Sequence, residues 1–335
     1  MRIEEQKHLG LILTPTLYFR KHIIQNIQKA KKHIGIIKNL SNYLPLKTLN
    51  QMYKTLVRPY LDYCDIIYHE PPKVDKTQEI SLSSLMEEIE RIQYKAALAV
   101  TGAWKGTNRS KIYDELGWEP LTYRRLSHRV IMLFKIVNRL IPYYLGEKLP
   151  PVRNIFSDDH IVIYREFRTR TVRFAQSFFP DAIKMWNTLM PYFQEMPTLL
   201  MLKKHLLSLF RPTPRSLFNI FDPEGTKIIF QLRLGLSKLR YHKKKHNFTD
   251  TPSDVCLCRS GIEDTEHFLL KCQFHATHRI KLLSSVSTIL SQNDLSHLID
   301  AKEVYLYGDP SLTFPENRDI ILSTIAYIKS TNRFI

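Results

Sequence analysis

Apolar residues in this chain return about every three to four positions over long stretches, and that period constrains the fold more than any other feature. In RKHIIQNIQKAKKHIGIIKNL (20–40), Ile23, Ile27, Ala30 and Ile34 share one face and lysines occupy the other, which predicts an amphipathic helix. LSSLMEEIERIQYKAALAVT (82–101) repeats the pattern with Leu85, Ile89, Ile92 and Ala96, and Gly102 suits the helix end. LTYRRLSHRVIMLFKIVNRL (121–140) predicts another long helix, stopped before Pro142. Further helices are expected at 46–58, 177–190, 198–210, 224–235, 276–292 and 316–332. Pro59 should interrupt its helix after Arg58, leaving Tyr60–Tyr68 as helix or buried extended chain. Only 10 of 335 residues are glycine, which argues against a loop-rich all-β protein and against Gly-rich nucleotide cradles. The expected class is mainly α with little β.

The length suffices for two or three domains. HEPPKVDKTQEIS (69–81), the irregular stretch from Pro150–Pro151 to about residue 175, and RPTPRS (211–216) read as breaks. They suggest a helical unit at 1–148, a basic and helical connector at 149–215, and a C-terminal helical unit at 216–335. Residues 7–13 read as a short strand with little chain before it to pair with.

A net charge of +17 and a pI near 9.6 favour a polyanionic partner, and nucleic acid is the natural one. No uncharged apolar run approaches the roughly 18 residues of a spanning helix, so no membrane partner is expected. The N-terminus lacks the apolar core of a signal peptide. With few cysteines as well, an intracellular, reducing compartment is expected, where clustered cysteines bind metal more often than they pair.

CLCRSGIEDTEHFLLKC (256–272) holds three of the four cysteines and a histidine between them. Cys256, Cys258, His267 and Cys272 form the pattern C-x-C-x8-H-x4-C, a donor set suited to one tetrahedral zinc ion per chain. Arg259–Ser260–Gly261 is the kind of turn that folds the first pair back on the second. Two features strain the reading. C-x-C is tighter than the usual C-x2-C, and on a regular helix His267 and Cys272 would point about 140° apart. The helix must end or bend between them, or His275 or His278 replaces Cys272 as fourth ligand. The competing reading is a helix carrying a core histidine and buried free thiols. A thiol nucleophile lacks supporting context.

Two basic runs are candidates for phosphate contact. YREFRTRTVRF (164–174) interleaves Arg165, Arg168, Arg170 and Arg173 with aromatics. LSKLRYHKKKHNF (236–248) brings Arg240, Lys243, Lys244 and Lys245 next to the cysteines. Contacts through the backbone of RNA or DNA would not read sequence. FSDD (156–159) looks like a polymerase metal box but follows a Pro-Pro loop, and a solvated acidic loop is the better reading. GDP (308–310) is a turn signal.

The order of segments resembles the C-terminal part of the reverse transcriptase polyprotein of non-LTR retrotransposons (LINE elements), of the jockey-like kind. KHLGLIL with FRKHI (7–23) looks like the family's LG segment, which follows the palm and helps form the primer grip, here at Leu9 and Gly10. LNQMYKTLVRPYLDYC (49–64) looks like the helix ending in R-P-x-L-x-Y. IERIQYKAALAVTGAWKGT (89–107) carries the Q-x-x-A and T-G-A pieces, and YDELGWEPLTYRR (113–125) the E-L-G, P-L and R-R pieces. FRTRTVRFAQSFFPDAIKMWNTL (167–189) is similar to the R-T…F…W-N-x-L block. LRLGLSKLRYHKKKHNF followed by CLCRSGIEDTEHFLLKCQF (232–274) is similar to the terminal Cys/His motif.

The resemblance implies a thumb-like helical unit after the end of the palm, then a C-terminal unit built round a zinc-knuckle-like motif. The parent activity is RNA-directed DNA polymerisation with Mg²⁺. The aspartates that bind Mg²⁺ belong to the palm and fingers, expected before Met1, so this chain has no catalytic residues of its own and is expected to be inactive alone. It would be a nucleic-acid-binding fragment of a transposable element. The alternative is a non-catalytic structural or interaction protein derived from a decayed element.

Overall fold

The computed structural model describes residues 5–70, 73–74, 80–81, 83–155, 162–194, 196–210 and 220–334. FSDD and the RPTPRS break lie outside the described residues. As the periodicity predicts, the chain is mainly helical: sixteen α-helices and three antiparallel two-stranded pairs among the described residues. Contacts group the residues into two units built from interleaved segments rather than from consecutive spans. One comprises Met1–His33, Leu56–Tyr94 and Gly117–Pro212; the other comprises Ile34–Thr55, Lys95–Leu116 and Thr213–Ile335.

Two local expectations are corrected. Residues 7–13 are not a lone strand. Gln6–His8 pairs antiparallel with Leu11–Leu13, so the segment supplies its own partner. Leu9 and Gly10 form the two-residue turn, with φ of 45° and 87°, the backbone that tight hairpins require. Nor does Pro59 end its helix. A π-helical stretch at Tyr53–Val57 precedes Arg58–Asp62, and Pro59 stands in the first turn of the new segment. The wider turn relieves the clash a proline ring makes with the carbonyl four residues back.

In the first unit, helices Phe178–Gln194 and Leu199–Phe210 pack on Leu121–Val137. Val130, Leu133, Phe134, Ile183, Trp186 and Leu202 form the centre of the core. Asn187 clasps a strand end there: its Oδ1 accepts from the Tyr164 N–H at 3.0 Å, and its Nδ2 donates to the Tyr164 carbonyl at 2.8 Å. Helix Leu121–Val137 also carries three buried arginines. Arg124 Nε lies 2.8 Å from Glu119 and its Nη1 lies 3.3 Å from Asp62. Burial pushes the Glu119 carboxyl up, but Arg124 outweighs it and holds the group below the usual range. Arg129 pairs with Asp181 and donates to the His69 carbonyl at 3.1 Å. Arg125 donates to the Leu61 carbonyl at 3.3 Å. Carboxylates and helix-end carbonyls take most of these guanidinium donors, and the Nε atoms of Arg125 and Arg129 are buried with no hydrogen-bond partner among the described residues.

In the second unit, helix Ala276–Gln292 packs along Phe314–Ser330, with Val286, Leu290, Ile321 and Ile325 buried. Helix Pro223–Leu234 starts with Asp222 Oδ1 accepting from the Gly225 N–H at 2.9 Å and ends at Gly235 in the left-handed region. Gly225 marks a close approach of helices: a Cβ there would stand 2.3 Å from Ile325 Cγ2. Arg233, its side chain wholly buried, bridges Glu115 Oε2 at 2.8 Å and the Leu306 carbonyl at 2.9 Å.

Candidate metal centre

Cys256 and Cys258 sit on a tight turn closed by two backbone bonds: Cys256 N–H to the Gly261 carbonyl at 2.8 Å and Arg259 N–H to the Cys256 carbonyl at 2.9 Å. Arg259 takes φ of 59°, which brings the chain round, and Val255 pairs with Ile262 across it. The turn thus folds the first pair of ligands back, as its Arg-Ser-Gly sequence predicts.

The second pair solves the spacing problem by a change of helix type. Asp264 Oδ1 accepts from the His267 N–H at 2.8 Å and starts the segment. From His267 to Lys271 the chain is a π-helix, and the Cys272 N–H donates to the His267 carbonyl at 2.7 Å. A bond from residue i to i+5 returns the chain to the same side after five residues, where a regular helix would not. Such a turn widens the ladder and leaves carbonyls exposed. Distant side chains take them: Tyr327 Oη donates to the Phe268 carbonyl at 2.6 Å, and Arg279 donates to the Leu269 and Cys272 carbonyls at 2.8 and 2.6 Å.

The four donor atoms of Cys256, Cys258, His267 and Cys272 lie within 4.8 Å of one another and can hold a metal ion. Cys256 Sγ is 3.7 Å from Cys272 Sγ, and Cys258 Sγ is 3.2 Å from His267 Nε2. A tetrahedral ion about 2.3 Å from each sulfur sets neighbouring sulfurs about 3.8 Å apart, so the thiol pair already has the spacing of a ligand edge. It is far beyond a covalent S–S bond of about 2.05 Å. Cys272 belongs to the set, whereas His275 and His278 do not: the His275 ring packs edge-on against Phe268, and His278 is exposed.

Backbone N–H groups support the sulfurs. Those of Cys258, Ser260 and Phe274 donate to the thiols of Cys256, Cys258 and Cys272, in each case from two residues further on. Burial still pushes the Cys256 thiol up to about 12. At Cys258, burial is outweighed by hydrogen bonds from Ser260, Cys256 and His267, which bring that thiol down to about 6. A bound cation would deprotonate its thiol ligands outright.

The basic residues are placed as follows. Arg240 opens helix Arg240–Lys245, its N–H donating to Glu263 Oε2 at 2.8 Å. Glu263 also takes both Nε and Nη2 of Arg333 at 2.7 Å. Lys243 and Lys244 pair with Asp250 and Asp254 at 2.6 and 2.9 Å, and Lys245 is exposed. Arg165, Arg168 and Arg170, in the other unit, are exposed. Arg173 is half-buried, with its guanidinium 3.4 Å over the Tyr18 ring, in the wall of an apolar cleft with Phe167, Phe174 and Phe178. Leu9, 81% exposed, lies with Gly10 at the tip of the N-terminal hairpin, and Tyr63 Oη donates to the Leu9 carbonyl. Two segments that carry the resemblance therefore meet.

Sequence reading missed Glu263, Arg279, Tyr327 and Arg333 as supports of the centre. Asp264, three residues before His267, carried a local helix-start signal. Glu263 lies within the motif and Arg279 on the helix that follows it, whereas Tyr327 and Arg333 reach it from the far end of the chain and leave no local signature. No helix among the described residues is long and apolar enough to cross a membrane. No protein-family model, curated protein or solved structure matches this chain.

Proposed function

We propose that this chain is a nucleic-acid-binding C-terminal region of a non-LTR retrotransposon reverse transcriptase, with one structural zinc ion held by Cys256, Cys258, His267 and Cys272. The convergence of those four donors carries the reading. Three thiols and one imidazole in a closed, tetrahedral-sized set favour zinc over hard cations, which prefer oxygen. No fifth protein donor or open catalytic position is needed, so the ion organises the fold.

Support for nucleic acid comes from the charge and from the tether between the turn and the basic helix. Arg240 and Tyr241 both donate backbone N–H groups to Glu263, one residue beyond the Val255–Ile262 bridge. The helix with Lys243, Lys244 and Lys245 is thereby fixed beside the metal turn. In an intact relative this unit would grip RNA or target DNA, and the first unit would act as the thumb of an intracellular polymerase whose Mg²⁺ site lies in another region.

The pairs Lys243–Asp250 and Lys244–Asp254 favour a second reading, a structural or interaction protein, because they neutralise part of the basic face. A salt titration separates the two. Nucleic-acid binding should weaken by roughly 0.9 log unit per decade of salt for each phosphate neutralised. Absent or salt-independent binding supports the interaction protein. Primer extension on an RNA template by the purified chain would overturn the expectation that it lacks polymerase activity.

A further inference from the structure

We propose that an aromatic cleft in the first unit is the docking site for a partner protein, and that it takes an acidic amphipathic helix of roughly nine residues. The inference goes beyond the nucleic-acid reading and does not rest on it.

Six large apolar side chains that line this one cleft are exposed: Leu17, Tyr18, Ile67, Tyr144, Val172 and Phe174. Their exposure runs from 44% at Phe174 to 70% at Val172. All six belong to the first unit. Tyr68, which is buried, adds to the lining, and its hydroxyl is already engaged by the Leu61 carbonyl at 3.0 Å. A contiguous apolar hollow marks an interaction site, unlike apolar residues scattered singly over a surface.

The walls are held in place before any partner arrives. The Arg173 guanidinium lies 3.4 Å over the Tyr18 ring and donates to the Thr16 carbonyl, which ties residues 16–18 to helix Val172–Gln176. Thr171 Oγ1 accepts from the Phe174 N–H at 3.2 Å and starts that helix. The Phe174 ring meets Phe167 edge-on at 6.1 Å. A preformed cleft keeps the ordering cost of binding low on this side.

Size and charge select the occupant. The cleft encloses about 1030 Å³. Small ligands use about 300–1,000 Å³, so this volume stands above their range. A helix about 10 Å across rises about 1.5 Å per residue, and the same volume holds roughly nine residues of it. Apolar side chains spaced three and four residues apart would then fill the hollow. Lys148 and Arg173 line the cleft, and Glu70 is the one carboxylate among the described residues that line it. Exposed neighbours in sequence, Arg168 and Arg170 against Glu147 and Glu166, leave that cationic excess in place. Acidic residues on the outer face of the helix complement it. A nucleic-acid strand fits less well: each nucleotide brings a phosphate, and one of the two lining cations is already held by Tyr18 and the Thr16 carbonyl.

The test pans the full chain against a displayed library of random peptides about twelve residues long. Selected sequences should carry apolar or aromatic residues three and four positions apart, with Asp or Glu between them. A fluorescein-labelled synthetic copy of the most enriched peptide should bind the parent by anisotropy. Val172→Glu and Lys148→Glu should each weaken it about ten-fold or more, and Lys148→Arg should keep it. Val172 and Lys148 are exposed, and the urea midpoint of each variant checks the fold. Tyr144→Ser replaces any variant whose midpoint shifts. Enrichment of no such peptide overturns the proposal, as does equal affinity for the parent and both variants. So does binding of anilinonaphthalene sulfonate without peptide binding, which would make the cleft a small-ligand site. Self-association of the parent lost in Val172→Glu would make it an interface between copies. Oligonucleotide binding lost in the same variant would make it a nucleic-acid site, and either result overturns the proposal.

Discussion

The Cys272 N–H donates to the His267 carbonyl at 2.7 Å, and this bond decides whether the Cys/His sequence makes a site. Five residues on a regular helix would turn the two ligands apart. The π-helical stretch His267–Lys271 brings them together at the cost of carbonyls that need partners from elsewhere. Its stability therefore depends on the residues that satisfy them.

Tyr327→Phe tests that dependence. It removes the hydroxyl donor from the Phe268 carbonyl and keeps the ring contact at 5.4 Å. A buried carbonyl left unpaired costs about 1–3 kcal/mol. Urea unfolding should show a loss in that range, with weaker metal retention in a chelator titration. Stability and retention both equal to the parent would mean that the π-turn does not need this bond.

Metal removal should destabilise the second unit. The purified protein should carry about one zinc ion per chain, and Cys272→Ser should lose it. A strong chelator should lower the thermal midpoint of the parent and leave that of Cys272→Ser unchanged. Acid should release the metal, because protons compete for the thiolates. Elemental analysis finding no metal in the parent would leave the cluster as buried free thiols.

Gly225→Ala should destabilise by about 1–3 kcal/mol through overpacking. The added Cβ would meet Ile325 Cγ2 at 2.3 Å and Asp222 Oδ2 at 3.0 Å, and Ile325 is buried. In an Ile325→Ala background the same methyl should cost less. Equal cost in both backgrounds would place the strain elsewhere.

His69 gives the first unit a pH signature. Burial, with help from Arg125 and Arg129, lowers its pKa from 6.5 to about 2. The unfolded chain takes a proton on this residue below about pH 6.5, and the folded chain refuses it until about pH 2. Its contribution is therefore complete above pH 6.5 and falls as pH drops through that window. The stability difference between the parent and His69→Leu, followed by urea midpoints, should shift in favour of the variant as pH falls from 7 to 4. A difference that stays flat over this range would show that His69 protonates normally when folded.

The sequence by itself determined the elements. Helix Arg20–Leu40 coincides with the predicted span, and Ala276–Gln292 does as well, because apolar spacing and lysine-rich opposite faces are local properties. It also located the candidate metal set, through the density of soft ligands in one short stretch, but left the fourth ligand open between Cys272, His275 and His278 until the structure brought Cys272 to the other three. Only the tertiary structure decided the rest. The strand at 7–13 became a hairpin, because a turn at Leu9–Gly10 can take positive φ. The R-R and W-N pieces of the sequence became internal struts: Arg124 on Glu119 and Asp62, and Asn187 on Tyr164. The π-turn that aligns His267 with Cys272 is held by Arg279 and by Tyr327, which lies on the last helix. A backbone ladder opened by one residue is stable only where buried donors reach its carbonyls. No local pattern records those donors, because they meet the turn only when the unit has folded.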